Sequence, residues 1–562
     1  MSFRRLADFE PLSPAERTLV DGLDGGTFDR VDAGGVPEAG DPRRIVRADL
    51  LRFLIVGGLD APRVHEKGVR VSGAWIDGTL DLEGCRIERD LGLADCRFGG
   101  RVVLRSAVLD TLFLDGSILP GLSAERLEAR GDVNLRGTVV DGPVLMPGAR
   151  IGGSLVADGA TFRNPSGVAF EAELLHARGS LLLRGARLEG GLDLTNARLA
   201  GDLEAIGIEI LREGHRAFDA EKLVASDLLL RRADVVGECV LDGARAGGDV
   251  DLSAGSFAAP GGIAFRFARG TIAGAFIMRD GARIDGLLGL NGATVGAIVD
   301  DPECWPPAGN LALNRCVYGG FLGAPVDADT RLRWLALQDP GRSGEDFWPQ
   351  PHEQLAAVLG EMGHDEDAQR VLFEKERLQR KARRARAASP LLLGILCARD
   401  WLLRATVGYG RKAHLAFLWL TLLWLTGAVL LSLADEGEVI RPNVAVVLRS
   451  PEWILCGAPI GTDVALASLG AVRTGLAEPG ESQLACWRRQ PEAGSYPRFN
   501  ALMFAVDTLL PALDTGQRDY WAPDVRFTLG WVAKWFSYFL TIAGWGLSLL
   551  AVAAFSGLVR SR

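Results

Sequence analysis

The most regular feature of the chain is an alternation of apolar and polar positions that repeats about every 11 residues. It is clearest in the segments TLDLEGCRIER, DLGLADCRFGG, SLLLRGARLEG and GLDLTNARLAG, where two leucines lie two positions apart, usually with a polar residue or glycine between them, as in Leu91/Leu93. A period of two is typical of a β-strand, so each unit predicts one strand and one turn. One unit is too short to enclose a core. We therefore expect two units to form a coil of about 22 residues, and ten or so coils to stack as parallel strands roughly 4.8 Å apart over residues 76–325.

Small and large apolar residues hold fixed places beside these leucine pairs and predict what fills each coil. A small residue such as Cys96 is followed two positions later by a large one, Phe98. This alternation can fill a narrow interior without voids. A longer repeat places Phe170, Phe218 and Phe265 about 48 residues apart, which predicts that two coils plus a small loop recur three times.

The repeats resemble those of pentapeptide-repeat and related right-handed β-helix proteins, which also alternate a small and a large inward residue. The resemblance covers residues 80–320. It implies a mostly β fold class built on a right-handed parallel β-solenoid.

Two long apolar runs follow the repeats. Residues 413–434 (AHLAFLWLTLLWLTGAVLLSLA) and 535–558 contain no Asp, Glu, Lys or Arg. A helix of about 20 apolar residues is long enough to cross a hydrocarbon core of roughly 30 Å. Both runs are therefore predicted to be transmembrane helices, which together form a membrane anchor.

Charges on the two sides of the first run predict its orientation. Between Glu374 and Lys412 there are 11 Lys and Arg residues against three acids, whereas residues 435–438 include three acids. Basic residues are retained on the cytosolic side of bacterial membranes. We expect a multi-pass protein of the bacterial cytoplasmic membrane with both termini and the solenoid in the cytosol and residues 435–534 forming an external or periplasmic loop. The N-terminus lacks the apolar core and cleavage site of a secretory signal.

Helical segments are predicted on both sides of the solenoid. Residues 1–75 form an N-terminal helical cap in which Ser13 and Pro14 occupy the N-cap and first helical positions. Residues 326–412 form a helical spacer: a hairpin around Gly363, a basic helix and a juxtamembrane segment.

The basic helix is a candidate for contact with the anionic lipid of the inner leaflet, because each Lys or Arg near such a surface contributes up to about 1 kcal/mol. A plain solvated helix is the alternative. The residues concerned are Lys375, Arg377, Arg380, Lys381, Arg383, Arg384 and Arg386.

The predicted external loop contains two cysteines, Cys456 and Cys486, which we expect to form a disulfide because that compartment is oxidising. It also contains an apolar segment, 499–513, with Asp507 inside it and Asp514 just after it. Carboxylates at membrane depth usually face water or a partner, so these two acids could line a pore. A helix lying on the outer membrane surface explains the same pattern.

The string TVGYG, residues 406–410, has the letters of a potassium-channel filter, whose carbonyl groups replace the hydration shell of an ion. A filter lies between two spans, behind a pore helix. This copy precedes the first predicted span and is followed by Arg411 and Lys412. We interpret it as a juxtamembrane turn.

Composition limits the chemistry that can be expected. The formal charge of −9 argues against general nucleic-acid binding, and the eight cysteines contain no C-x-x-C pair. The six histidines make no ligand pair, and Asp81, Asp193 and Asp251 fit a solvated strand face better than an acid/base pair. No catalytic residue, cofactor or metal site is predicted, and an enzyme is not favoured.

The C-terminal segments GYGRKAHLAFLWL and YPRFNALMFAVDTLLPALDTGQRDYW resemble bacterial repeat proteins grouped as membrane-associated oxidoreductases or pentapeptide-repeat membrane proteins. That resemblance implies an architecture without naming active residues. The function we expect is a membrane-anchored protein-interaction scaffold with a protein partner on the solenoid. The alternatives are an oligomeric two-span channel or sensor-gated module, which would need several copies of the chain, and an oxidoreductase by resemblance.

Overall fold

The computed structural model describes residues 5–31, 35–58, 60–386, 389–408, 414–467, 470–510 and 512–555. The chain divides into two compact units, Met1–Lys375 and Glu376–Arg562. The α-helices among the described residues are α1 (Pro14–Gly22), α2 (Ala48–Val56), α3 (Ala328–Leu335), α4 (Gln350–Glu361), α5 (Asp365–Ala385), α6 (Pro390–Val407), α7 (His414–Glu436), α8 (Ala445–Leu448), α9 (Pro451–Leu455), α10 (Gln483–Arg488), α11 (Ala501–Leu509), α12 (Gln517–Tyr520) and α13 (Thr528–Phe555). Short 3-10 helices span Leu6–Phe9, Pro302–Cys304, Pro340–Ser343 and Pro491–Ser495.

The first unit contains a parallel β-solenoid made of two long sheets, as the alternation predicted. One sheet has 20 strands: Asp29–Arg30, Val69–Ser72, Leu91–Ala94, Val108–Leu109, Leu112–Phe113, Glu128–Ala129, Val133–Asn134, Arg150–Ile151, Leu155–Val156, His176–Ala177, Leu181–Leu182, Arg198–Leu199, Leu203–Glu204, Val224–Ala225, Leu228–Leu229, Arg245–Ala246, Val250–Asp251, Thr271–Met278, Thr294–Asp300 and Val317–Tyr318. The other has 18: Ile45–Arg47, Trp75–Asp77, Leu80–Asp81, Arg97–Phe98, Val102–Val103, Ile118–Leu119, Leu122–Ser123, Val139–Val140, Val144–Leu145, Thr161–Glu171, Arg187–Asp193, Glu209–Asp219, Asp234–Val240, Ser256–Ala258, Phe265–Arg266, Arg283–Asp285, Leu288–Gly289 and Leu311–Ala312.

From strand Val69–Ser72 onward each coil crosses both sheets, and residues paired between neighbouring coils lie between 20 and 27 positions apart, as for Val108 with Glu128 and Ser256 with Arg283. The coil of about 22 residues is therefore confirmed. The expectation of one strand in each 11-residue unit is wrong, because a unit holds two short strands. A residue with left-handed backbone, such as Gly116 at φ 67°, turns the chain between them. Glycine adopts this conformation without steric cost, which is why the units are rich in glycine.

The interior of the solenoid is mainly apolar. Cys96 and Phe98 are buried, and Phe170, Phe218 and Phe265 are fully enclosed. The strands that contain Phe170 and Phe218 are 11 residues long, and their pairing shifts register in the middle. The extra residues of the longer repeat thus bulge outward while the phenylalanine remains inside, where Phe170 contacts Phe162 with ring centroids 5.0 Å apart.

The N-terminal region contains more than helices. Ser13 is the N-cap of α1, and its side chain accepts a hydrogen bond from the Glu16 backbone amide. Strand Asp29–Arg30 pairs with Val71 and Ser72, and strand Ile45–Arg47 pairs with Trp75–Asp77. Both sheets of the solenoid therefore begin with a strand from residues 1–75, a segment for which the sequence predicted only helices.

The far end of the solenoid is closed by a buried ion pair. Arg331 of α3 is fully buried and donates two hydrogen bonds of 2.8 Å to Asp300, at the end of strand Thr294–Asp300. The guanidinium carbon lies 3.7 Å from the ring centroid of Phe321, and Trp305 Nε1 donates to the Asp300 carboxylate. The charged pair is compatible with burial because its polar atoms have partners.

The second unit contains both apolar helices that the sequence predicted. Helices His414–Glu436 and Thr528–Ala554 are long and apolar enough to cross a membrane, with mean hydropathies of 2.0 and 1.6. Only 28% and 22% of their most apolar windows are buried, which is unlike a core helix of a soluble domain. The second helix starts at Thr528, seven residues earlier than the sequence predicted, so the segment between the helices is shorter. Two small antiparallel sheets of two strands each lie in that segment, Ile440–Pro442 with Trp521–Pro523 and Asp463–Leu466 with Ala471–Thr474.

Candidate functional site between the two apolar helices

The short helix α11 packs between α7 and α13. Asn500 caps its N-terminus by accepting a hydrogen bond from the Met503 amide. On the α7 side, Trp424 Nε1 donates to the Leu502 carbonyl oxygen at 3.0 Å. On the α13 side, Thr541 Oγ1 donates to the Thr508 carbonyl oxygen at 3.2 Å. The Trp424 indole and the Thr541 hydroxyl thus attach α11 to both helices, and the Thr541 hydroxyl gives a partner to a carbonyl in the last turn of α11.

Glycines permit the close approach of these helices. A Cβ added at Gly427 of α7 would lie 2.8 Å from Leu540 Cδ1, and one added at Gly544 of α13 would lie 1.7 Å from the Leu509 carbonyl oxygen. Both glycines lie at least two turns inside their helices. A helix resting on an outer membrane surface would contact only the ends of two spanning helices, whereas α11 contacts their middle parts.

Asp507 lies near the end of α11 and is only 4% exposed. Its Oδ1 accepts a hydrogen bond from the Thr515 amide at 3.1 Å, and its Oδ2 accepts one from the Arg518 amide at 3.2 Å. Arg518 Nη1 also donates to the Asp507 carbonyl oxygen. Both carboxylate oxygens therefore hold the loop that follows α11, as a helix-capping side chain does. Asp514 is exposed on that loop, where it accepts a hydrogen bond from the Gly516 amide and does not meet Asp507.

The segment between the helices also contains a disulfide. Cys456 and Cys486 are bonded to each other and are both buried. Trp453 and Trp487 pack beside them, with ring centroids 5.7 Å apart. From Trp487 a chain of edge-to-face contacts continues through Tyr496 to Trp521. No role was predicted for these aromatic residues, although their concentration between residues 487 and 521 is a signal for a local core.

The seven basic residues of 375–386 differ in their exposure. Three of them are paired within the protein: Lys375 with Glu353 at 2.9 Å, Arg380 with Asp400 at 2.9 Å and Arg384 with Asp400 at 3.1 Å. Asp400 of α6 is buried and holds the two arginines of α5. Arg377, Lys381, Arg383 and Arg386 are exposed. The sequence analysis missed Asp400, because its arginine partners lie 16 and 20 positions away on another helix.

The TVGYG string lies at the end of α6. The Thr406 hydroxyl donates to the Leu402 carbonyl oxygen at 2.7 Å, and the helix ends at Val407. Tyr409 and Gly410 fall outside the described residues. Thr406 and Val407 thus form an ordinary helical turn.

Reactive groups in the solenoid are used structurally. Burial raises the pKa of the Cys96 and Cys316 thiols to about 12, so they stay protonated at neutral pH. Asp81, Asp193 and Asp251 each accept a hydrogen bond from the backbone amide two residues later, and Asp251 is buried where a solvated face was expected. Among the described residues, no group of three or more His, Cys, Asp or Glu side chains could hold a metal ion.

No family model, curated protein or solved structure matches this chain. The resemblance to pentapeptide-repeat proteins, like the oxidoreductase alternative, therefore rests on the residue pattern alone.

Proposed function

We propose that the chain is a membrane-anchored scaffold whose solenoid binds a protein partner beside the cytosolic face of a bacterial inner membrane. The observation that carries the proposal is the solenoid's outer surface. Arg86, Val108 and Glu128 occupy the same position on successive coils and are paired in turn, which forms a column of residues that continues to Val317. This column places one outward side chain on each coil. Such regular, extended surfaces are what repeat proteins use to bind other proteins.

The anchor is supported by apolar side chains that no other part of the second unit covers. Ile542 is 74% exposed and Val429 is 62% exposed, and both belong to the apolar helices. Lipid is the solvent in which such surfaces are stable. The exposed residues Arg377, Lys381 and Arg383 precede the first of these helices and favour an anionic cytosolic leaflet on that side.

Fusions to alkaline phosphatase test the topology. A fusion after Ser450, between the two apolar helices, is expected to be active because the enzyme requires export. A fusion after Ser389 is expected to be inactive. The reverse pattern would invert the topology and place the solenoid outside the cytosol.

Photocrosslinking in cells tests the scaffold function. A crosslinking amino acid is placed at one outward position on each side of the solenoid, for example at Val224 on one sheet and at Val139 on the other. A scaffold is expected to give discrete adducts of higher mass from one side, and a buried position, Leu228, serves as the control. If no outward position on any side gives an adduct, the scaffold proposal fails.

A channel is the second candidate, because α11 lies between the apolar helices with a carboxylate at its end. Purified protein in planar bilayers is the test. We expect no discrete conductance, since both oxygens of Asp507 are engaged by backbone amides. Reproducible single-channel currents whose ion selectivity changes in Asp507→Asn would replace the scaffold by an oligomeric channel.

A further inference from the structure

One column of the solenoid carries an arginine on every second coil. Arg150, His176, Arg198, Val224 and Arg245 occupy the same position in five successive coils, each paired with the next. Neighbouring strands lie about 4.8 Å apart, so the three arginines follow one another at intervals of about 10 Å along the solenoid axis. We call Arg150, Arg198 and Arg245 the arginine row.

The arginine row differs in its pairing from several arginines on other parts of the solenoid. Those arginines bind acids of neighbouring coils, as Arg163 binds Asp141 at 2.7 Å and Arg184 binds Asp158 at 3.0 Å. Among the described residues, Arg198 and Arg245 have no acidic side chain within 4 Å. Arg150 has one contact of 3.3 Å, with Glu128, in which both side chains are more than half exposed. Such a surface pair contributes little and can be exchanged for another carboxylate.

Acids do lie along one edge of this face, but they are engaged with the backbone. Asp202 accepts a hydrogen bond from the Asp227 amide, Asp227 accepts one from the Asp249 amide, and Asp249 accepts one from the Ala275 amide. Each carboxylate is thus held against the next coil and is directed along the edge. The face itself keeps an excess of positive charge.

Arg150 and Arg198 of the arginine row line a shallow groove with a volume of about 960 Å³, and Arg245 follows on the coil after its last lining residue, Val224. Its floor consists of small or buried residues, including Gly152, Ala177 and Ala200, and Arg178 adds a further exposed guanidinium. His176 is exposed between Arg150 and Arg198, but the positions beside the row, Gly152, Ala177 and Ala200, have small side chains or none, so an extended backbone can lie on this floor next to the arginines.

We propose that the groove binds an extended acidic segment of a protein partner, in polyproline II conformation, with a carboxylate at every third residue. A polyproline II helix has three residues per turn and rises about 3.1 Å per residue. Residues i, i+3 and i+6 therefore lie on one side at intervals of about 9 Å, which matches the arginine row. A β-strand places its i and i+3 side chains on opposite faces and does not fit. This inference rests on the proposed scaffold function and names the class of partner.

The test uses full-length protein in detergent and a fluorescein-labelled peptide of four Glu-Pro-Pro repeats, with binding measured by fluorescence anisotropy. We expect saturable binding that weakens as salt is raised from 50 to 300 mM, roughly threefold or more, because exposed charge pairs are screened. A Lys-Pro-Pro peptide is expected not to bind. A peptide of equal charge with glutamates two residues apart is expected to bind at least threefold more weakly. Equal binding of the two acidic peptides would overturn the spacing on which the proposal depends.

Single substitutions locate the site. Arg198→Ala and Arg245→Ala are each expected to weaken binding about two- to fivefold, and the double variant roughly tenfold. Arg283→Ala is the matched control, since Arg283 is exposed on the other sheet and has no ion pair among the described residues. An equal loss in Arg283→Ala would show non-specific attraction and overturn the proposal. The proposal would also be overturned if a single-stranded oligonucleotide bound more tightly than the Glu-Pro-Pro peptide and lost that binding in the same arginine variants.

The experiments can show separately whether the groove proposal fails and whether the scaffold proposal fails. If photocrosslinks form on another side of the solenoid and the Glu-Pro-Pro peptide does not bind, the scaffold stands and the groove proposal fails. If no side gives crosslinks but the peptide binds in the expected way, the groove binds acidic peptides and the cellular role needs revision.

Discussion

The two units use similar residues in opposite ways. In the solenoid, leucine and phenylalanine point inward at regular positions, and Leu181, Leu203 and Leu228 stack as fully buried residues of successive coils. In α7 and α13 the same residue types cover most of the helix surface, and residues such as Leu418 and Leu549 are more than half exposed. The spacing of apolar residues along the chain therefore indicates better than their number whether a segment buries them in a core or leaves them exposed.

The units also differ in how they are held together. Each coil of the solenoid repeats the contacts of the coil before it, so the burial of apolar area is spread along its length. The second unit depends on single contacts, such as those of Gly544 with Leu509, Asp507 with its loop and Asp400 with two arginines. A substitution at a contact that occurs only once is expected to affect mainly its own surroundings. The following experiments are ordered from the largest expected effect to the smallest.

The largest effect is expected in the first unit, at the buried ion pair at the end of the solenoid. Arg331→Met leaves the Asp300 carboxylate buried without its partner, and we expect a loss of about 3–5 kcal/mol in the free energy of unfolding. Adding Asp300→Leu is expected to restore most of it. Arg163→Met, at an exposed pair, is expected to cost at most about 1 kcal/mol. Urea unfolding followed by circular dichroism measures all three variants. A loss below 1 kcal/mol in Arg331→Met would remove the distinction between the buried and the exposed pair.

The disulfide is expected to rank next. Replacing Cys456 and Cys486 by alanine frees a loop whose ends are 30 residues apart, which costs about 3–4 kcal/mol on the chain-entropy description. The effect is expected in the second unit alone. Limited proteolysis is the measurement: cleavage between residues 440 and 525 is expected to accelerate while the solenoid fragment stays intact. Cys397→Ala, at an exposed free cysteine, is the control. Accelerated cleavage of the solenoid would show that the two units are energetically coupled.

Two glycines on α13 offer a matched pair. Gly544→Ala places a methyl group against the Leu509 carbonyl and is expected to destabilise the contact with α11 by about 1–3 kcal/mol, as overpacking does. Gly546→Ala has nothing within 4 Å and is expected to be neutral. Thermal unfolding in detergent, monitored through tryptophan fluorescence, compares them. Equal melting temperatures for the two variants would mean that α11 is not packed against α13 in solution.

The smallest effect is expected from the exposed basic residues of α5. Lys381→Glu and Arg383→Glu in the fragment 1–386 are each expected to weaken binding to anionic vesicles by up to about 1 kcal/mol, while neutral vesicles bind neither form. Arg283→Glu on the solenoid is the control. Co-sedimentation at low salt measures the binding. Unchanged sedimentation of the Lys381 and Arg383 variants would favour a plain solvated helix.

The sequence by itself determined the features that repeat or persist locally. The 11-residue alternation predicted a parallel solenoid with coils of about 22 residues, and two uncharged runs predicted the apolar helices. Both signals arise because burial inside a coil, or an apolar surface all around a helix long enough to cross a membrane, imposes the same requirement on every successive unit of chain.

Tertiary structure decided the contacts that occur only once. Nothing in the local pattern indicated that Arg331 pairs with Asp300, that Asp400 holds Arg380 and Arg384, or that Asp507 binds the amides of its own loop. Even the two strands in each unit depend on a left-handed residue, which can be Asp95 or Ser106 as well as glycine. These contacts join residues that are distant in sequence or depend on a single backbone angle. Their energies come from mutual position after folding, and no periodic signal in the chain records them.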